Sequence, residues 1–420
     1  MPLGDTQRMV DPIAEIEALA AFRGRQAGSD AERRAANHLQ RRLADQGRAA
    51  SVEPLVLYPR WYLAQLVHAL LAIAGSAISV KDALAGTILV AVAAISTLGD
   101  VTGRLPIARR LTGRRASQNV TAPDPDGAGR PGTLVLTAHY DIARTGAAFG
   151  RLDEARAALG RLIRRPIGPA EPFAYAILLV LVTTVARLAG LDNAALSAVQ
   201  FVPTVVLIVS VPFLVDIALS AASPGANDNA SGVATVLRLA ERYGGTLDHF
   251  DVDVLLTGAQ EPGALGMRAW LKEHRKQLDP LNTIVLSVDE VGAGTIRYAP
   301  KEGPLLALRQ HPRLVRLCDQ IRDEDVDENR YRAARVTARR PSDAYAARAR
   351  GLPAVTISCA PAPHHHRHTD TPSEIDRAAL DRAFGFCSEL IELIDEEVGP
   401  DVGATAAEAS ETGAASFTRS

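Results

Sequence analysis

Thr133-Leu134-Val135-Leu136-Thr137-Ala138 runs without interruption into His139-Tyr140-Asp141, and the fold follows from how this stretch is read. A short, nearly continuous apolar run without strict alternation describes a strand buried on both faces, as in a sheet covered by helices on either side. Three more runs of this kind follow. Residues 252–257 lead to Gln260-Glu261-Pro262-Gly263, residues 283–288 end at Asp289, and residues 354–358 lead to His364, His365, His366 and His368, just ahead of Asp370-Thr371-Pro372. Helical periodicity marks residues 232–243, 264–274, 312–322 and 343–350, and Gly225-Ala226-Asn227-Asp228-Asn229-Ala230-Ser231-Gly232 opens the first of these. Upstream, helical patterns at 13–22 and 30–46 precede a strand pattern at 52–57. The alternation predicts an α/β domain: a mixed, mostly parallel sheet sandwiched by helices, with polar strand ends gathered on one rim.

Composition narrows the class. The 420 residues carry 46 Lys+Arg against 48 Asp+Glu, a net charge of −2, so there is no overall positive field of the kind that serves nucleic-acid binding. A hydrophobic content of 47% with 22% charge excludes a disordered or fibrous chain. Cys318, Cys359 and Cys387 lack metal-ligand spacing and give no disulfide framework, which fits a reducing compartment.

Four stretches, at residues 61–80, 83–101, 173–190 and 194–222, reach or approach the roughly 20 apolar residues that cross a bilayer. Residues 1–25 are acidic and amphipathic and do not resemble a secretory signal. Short turns at Lys81-Asp82 and Leu191-Asp192-Asn193 join the four stretches into two transmembrane helical hairpins. Both hairpins return the chain to the side carrying Arg104, Arg109, Arg110, Arg114 and Arg115, and Arg151, Arg156, Arg161, Arg164 and Arg165. Basic flanks remain cytoplasmic, so the expected location is a multi-pass protein of the cell (inner) membrane with its polar domain in the cytoplasm. Trp61 and Tyr62 would sit at the interface. Arg187 and Asp216 are charged within or near the span ends, and they make no polar pathway for a transporter. The expected organisation is one polar α/β domain in three parts, 1–60, 102–172 and 223–398, interrupted at 61–101 and 173–222 and followed by a disordered tail at 399–420.

Singly, each polar strand end has an ordinary reading: a surface His-x-Asp pair, a helix cap, solvated loop acids, a polar turn of histidines. Together, one histidine, three acids and a late histidine, each at a strand end or helix start, match nitrogen and oxygen ligation of two zinc ions.

In order and local sequence these segments resemble the two-zinc aminopeptidase family that includes bacterial leucyl aminopeptidases, glutamate carboxypeptidase and glutaminyl cyclase. The likeness extends to the helix between Gly28 and Gly47, to Gln118-Asn119-Val120, and to Ser342-Asp343 followed by Gly351-Leu352-Pro353. It implies that Asp228 bridges the metals, that His139 and Asp289 complete one site, and that Glu261 and a late histidine complete the other. Asp141 would orient His139. The family's late histidine precedes an Asp-Thr pair by four positions, which selects His366 and leaves His368 as the alternative.

One departure matters. The family has two adjacent glutamates, the first accepting a proton from the attacking water, and here Gln260 precedes Glu261. An amide cannot accept that proton, and general-base catalysis contributes roughly 10²–10⁴-fold. Glu290 is not expected to substitute, because alternation turns it away from the face that Asp289 occupies. The resemblance therefore implies a membrane-anchored zinc metallopeptidase, an aminopeptidase hydrolysing the amino ends of peptides and embedded in the lipid bilayer. The alternative is a peptidase-like domain that binds metal or peptide but hydrolyses poorly.

Overall fold

The computed structural model describes residues 10–103, 105–127, 129–325 and 329–402. Arg104, the first nine residues and the tail beyond residue 402 lie outside them.

The chain opens with α1 (Pro12–Ala20) and α2 (Asp30–Asp45). Ser29 caps α2 by accepting from Glu32 N, one of the orphan donors at a helix start, and the Glu32 carboxylate reaches back past the cap to Gly28 N at 2.7 Å. Ala31, Ala35, Leu39 and Leu43 bury one stripe of α2. Strand β1 (Ser51–Leu57) leads to the first apolar hairpin, α3 (Trp61–Ile78) and α4 (Ala83–Val101). Next come β2 (Arg115–Ala122), β3 (Gly132–His139) and the short α5 (Arg151–Leu162). The second hairpin is α6 (Glu171–Leu188) and α7 (Ala194–Leu219). It is followed by α8 (Ser231–Tyr243), β4 (Phe250–Thr257), α9 (Leu265–Glu273), β5 (Thr283–Asp289) and β6 (Thr295–Glu302). The chain closes with β7 (Leu308–Arg309), α10 (Pro312–Glu324), β8 (Ala334–Ala338), α11 (Asp343–Arg348), β9 (Ala354–Ala360) and α12 (Arg377–Leu393).

The strands form one mixed sheet in the order β1-β2-β4-β3-β5-β9-β6-β7, with β8 beside β6. Parallel pairing covers the contiguous centre β4-β3-β5-β9 and the β6–β8 pair, while β1–β2, β2–β4, β6–β9 and β6–β7 run antiparallel. The sheet is thus less parallel than the strand runs alone suggest, because β2 and β6 to β8 carry no continuous apolar run.

Alternation along β3 divides the core. Leu134 and Leu136 face the larger layer, built with Leu39, Val236, Leu317 and Leu390, whereas Val135 faces a smaller one with Met267, Leu271 and Ala347. Helices α1, α2, α8, α10 and α12 cover the first face, and α9 and α11 the second. The expected tail begins too early. Helix continues through residues 399–402, where Val402 is buried and Gly399 lies so close to His249 that a Cβ would meet its ring at 2.4 Å.

The four long apolar helices have 18, 19, 18 and 26 residues and mean hydropathy of 1.5 to 2.3, enough by length and composition to cross a membrane. They close a ring in which α3 touches α4 and α7, and α6 touches α4 and α7. Small residues allow close approach: a Cβ on Gly86 would lie 2.5 Å from Ser79 Cα. Arg187 is satisfied inside the bundle by Gln200 (2.8 Å), Ser197 (2.6 Å) and Asp192, and Gln200 also donates to Ser76 O at 2.8 Å. The outward faces expose Ile88, Ile95, Val182, Val202 and Val209.

Candidate metal centre

The four central parallel strands all end on one rim, so the polar residues that follow them converge. His139 is the last residue of β3 and Asp289 the last of β5. Gln260 and Glu261 lie in the turn after β4, His365 and His366 in the loop after β9, and Asp228 in the kinked segment at 226–230 before α8. That segment is fastened to its neighbours. Asp370 accepts from Asn227 N and Asp228 N at 2.8 and 3.1 Å. Asn229 donates to Val288 O at 2.9 Å and accepts from Glu290 N at 3.0 Å.

Asp228 sits at the centre. Its Oδ1 is 3.4 Å from His139 Nε2, and its Oδ2 is 3.2 Å from His366 Nε2 and 3.1 Å from His365 Nδ1. His139 Nε2 is also 3.4 Å from Asp289 Oδ1, and His366 Nε2 is 3.1 Å from Glu261 Oε2. Burial opposes charge on His139, yet Asp141, Asp228 and Asp289 hold its imidazolium well above the usual range. Against the same burial, Glu261 and Asp228 push His366 up to about 10. Burial raises Glu261 and Asp289, while the histidines hold Asp228 well below the ordinary carboxylate range.

This donor set fits a metal. Asp228 Oδ2, Glu261 Oε1, Asp289 Oδ1 and His366 Nδ1 are buried without a properly aligned hydrogen bond, although nitrogens and oxygens crowd within about 3.5 Å of one another. Buried carboxylates normally find donors, and close but misaligned imidazole–carboxylate pairs are the geometry of groups aimed at a shared cation. Two triads keep their ligand atoms within 4.8 Å: His139, Asp228 and Glu261, and Asp228, His365 and His366.

Asp141 supports this cluster from behind. Its carboxylate lies 3.5 Å from His139 Nδ1 and accepts from Gln260 N at 2.8 Å and Glu261 N at 3.3 Å, so one acid orients both a histidine and the turn that carries Glu261. Glu32 braces the same turn by accepting from Ala259 N at 3.2 Å and Ser117 Oγ at 2.8 Å; burial pushes it up to about 8. The fully buried Arg25 donates to the carbonyls of Tyr140, Pro224 and Gly225, tying α1 to the loops beside His139 and Asp228.

The Gln260 side chain is buried and its amide donates to Pro341 O at 2.8 Å, a bond that an ionised carboxylate could not make. His368 is exposed, and His364 turns to Thr369 and Glu374. Two neighbours of the cluster differ from expectation. His365 stacks on His366 at 3.7 Å between ring centroids, and nothing in a run of four histidines distinguishes it beforehand. Glu290, expected to face away, bonds His365 Nδ1 at 2.6 Å, because its φ of +53° ends the strand alternation after Asp289. Phe149 meets His366 edge-on, 4.6 Å between centroids.

Residues 210–391 match the model for peptidase family M28, a span that includes every candidate ligand except His139. The fold resembles that of Porphyromonas gingivalis glutaminyl cyclase at 12% identity and a TM-score of 0.52, covering 91% of this chain and 96% of that one. An aminopeptidase from Aneurinibacillus sp. strain AM-1 compares at 15% identity and 0.50, covering 92% and 94%. A Zn-dependent exopeptidase from Parabacteroides distasonis compares at 12% and 0.50, covering 93% and 99%. No curated protein sequence matches the chain.

Proposed function

We propose that this chain, which carries a domain of peptidase family M28, is a membrane-anchored zinc peptidase acting on the amino ends of peptides. The observation that carries this reading is the convergence of His139, Glu261, Asp289 and His366, from the ends of four adjacent parallel strands and the turns that follow them, around Asp228 of the kinked segment before α8, with buried atoms of Asp228, Glu261, Asp289 and His366 left without aligned partners. Asp228, with His139 and Asp289 on one side of it and Glu261 and His366 on the other, would hold two zinc ions. Bound there, zinc would polarise the scissile carbonyl and acidify the attacking water. The chain's own residues do the positioning. Asp141 holds His139 and the Glu261 turn in register, and the Asp370 contacts fix the Asp228 segment. Gln260 cannot take a proton, which costs about 3–5 kcal/mol of barrier relative to a glutamate base. Glu290, which accepts from His365 Nδ1 beside Asp228, is a carboxylate at the cluster that could accept one.

The domain organisation is that read from the sequence: a peptidase-like domain interrupted by two transmembrane hairpins and exposed to the cytoplasm. Its support is the ring of four apolar helices and the arginine-rich flanks. Protease protection in sealed vesicles tests it, and an external Arg161–Arg165 segment would overturn it.

The Gln260–Pro341 bond favours a second reading, a metal- or peptide-binding domain that hydrolyses poorly, because the turn is shaped around an amide. Turnover of aminoacyl amides by the zinc-loaded, detergent-purified protein beside Gln260→Glu decides between the two. Chelator-sensitive turnover in the parent supports the peptidase. Turnover confined to Gln260→Glu supports the binding domain.

A further inference from the structure

Helix α5 is twelve residues long, yet its leucines are exposed: Leu152 at 45%, Leu159 at 50% and Leu162 at 80%, with Ile163 after it at 51%. At 100° per residue these four fall on one face with Ala155. The opposite face carries Asp153, Glu154, Ala157 and Arg161, which line a cleft shared with His365 and Arg367. Across that cleft Glu154 and Arg367 pair at 3.0 Å.

Both ends of α5 are fixed to the second hairpin at the same level. Just before the helix, Ala147 N donates to Asp216 at 2.7 Å, Thr145 N to Ala221 O at 2.9 Å and Arg144 to Ser220 O at 2.7 Å, all at the C-terminal end of α7. Just after it, Arg165 reaches Glu171 at 3.4 Å and the Tyr175 hydroxyl at 3.2 Å, at the N-terminal end of α6. Because α6 and α7 pack as an antiparallel pair across a short turn, these are the same end of the hairpin. A helix of about 18 Å held at both ends there lies across the bundle end instead of projecting from it.

We infer that α5 is an in-plane helix whose leucine face rests in an anionic lipid surface and whose opposite face forms the wall of the cleft beside His365. The inference rests on the reading of α6 and α7 as membrane spans, since it is their boundary that sets the level of α5. Charge supports a lipid occupant over a protein one. The exposed Arg164 and the half-exposed Arg165 follow Ile163 at the end of the leucine face that meets α6, as expected for a helix at a headgroup surface.

The test uses the full chain in bilayers containing phosphatidylglycerol, with nitroxide labels on Leu159→Cys, Ala157→Cys and Val206→Cys; the native cysteines are buried. Collisions with oxygen are compared with collisions with a water-soluble nickel complex. The expected result is an oxygen-favoured, shallow Leu159, a nickel-accessible Ala157 and a deep Val206. A Leu159 as open to nickel as Ala157, with Val206 still in lipid, would overturn the inference and leave the spans standing. A Leu159 shielded from both reagents would mean a covering protein and would also overturn it. A nickel-accessible Val206 would overturn the spans and the inference together.

Discussion

The two apolar hairpins reach the same ligand cluster from different sides, and they hold it by different means. The first ends in charge. Asp100, near the end of α4, accepts from Arg109 and, at 3.0 Å, from Gln65, while Arg109 also donates to Pro262 O, next to Glu261. Both ionised groups are nearly excluded from solvent. From the end of α7 the second reaches the cluster through a main-chain N–H on a side-chain carboxylate and one aromatic edge, running from Asp216 through Ala147 N to Phe149 against His366. A buried ion pair is stiff and expensive to break, whereas an exposed turn and a ring contact yield at small cost. The Glu261 side of the cluster should therefore behave as a rigid joint and the His366 side as a compliant one.

The largest expected effect tests the rigid joint. Arg109→Met strands Asp100 in a buried setting and should lower stability by about 3–5 kcal/mol, read as thermal unfolding in detergent, with Asp100→Asn added to it restoring more than half. A loss below about 1 kcal/mol would erase the contrast. The domain-side brace of the same turn, Glu32, comes next. Its folded value of about 8 stands above the ordinary 4.5, so ionisation opposes folding: stability is greatest below about 4.5 and is lost as pH rises towards 8. The loss should reach at most about 5 kcal/mol, at ~1.4 kcal/mol per unit, and Glu32→Gln should flatten this dependence in unfolding measured across that window. On the compliant side, Phe149→Ala should weaken zinc binding by roughly 10-fold with little change in unfolding temperature. An unfolding shift as large as that of Arg109→Met would make the two sides alike. The smallest effect belongs to Asp216→Ala, which removes one acceptor from Ala147 N and should cost about 1 kcal/mol.

What the sequence makes legible follows the same physics. The four central strands announce themselves because burial on both faces demands unbroken apolar runs such as residues 133–138. Strand β6, with Arg297, Pro300 and Lys301, and the five-residue β8 carry no such demand. Helix α12 is readable in retrospect, since Leu380, Ala383, Phe384, Cys387, Leu390 and Ile391 repeat at helical spacing. The residue types at the rim and their order along the chain are also legible, since the expected ligands do meet around Asp228. What escapes is orientation. Alternation rules fail for Glu290 once its backbone turns left-handed, and four neighbouring histidines are separated only by a loop that includes the left-handed His366. Gln260 shows its missing basicity in the sequence, but the bond to Pro341 depends on a contact 81 positions away.

The insertion between β3 and β4 also sets a schedule for the chain as the ribosome makes it. Residue 132 pairs with residue 250 and residue 133 with residue 283, so the central strand emerges well before either neighbour exists, with the whole second hairpin still to be synthesised. At ~5–20 residues per second, that leaves His139 and its apolar strand unpaired for several seconds or more. During this interval the nascent β3 exposes both edges, and the donors that complete the cluster with His139 have not yet been made. Metal capture can therefore come only after the second hairpin is finished, which makes a loaded cluster a record of completed assembly.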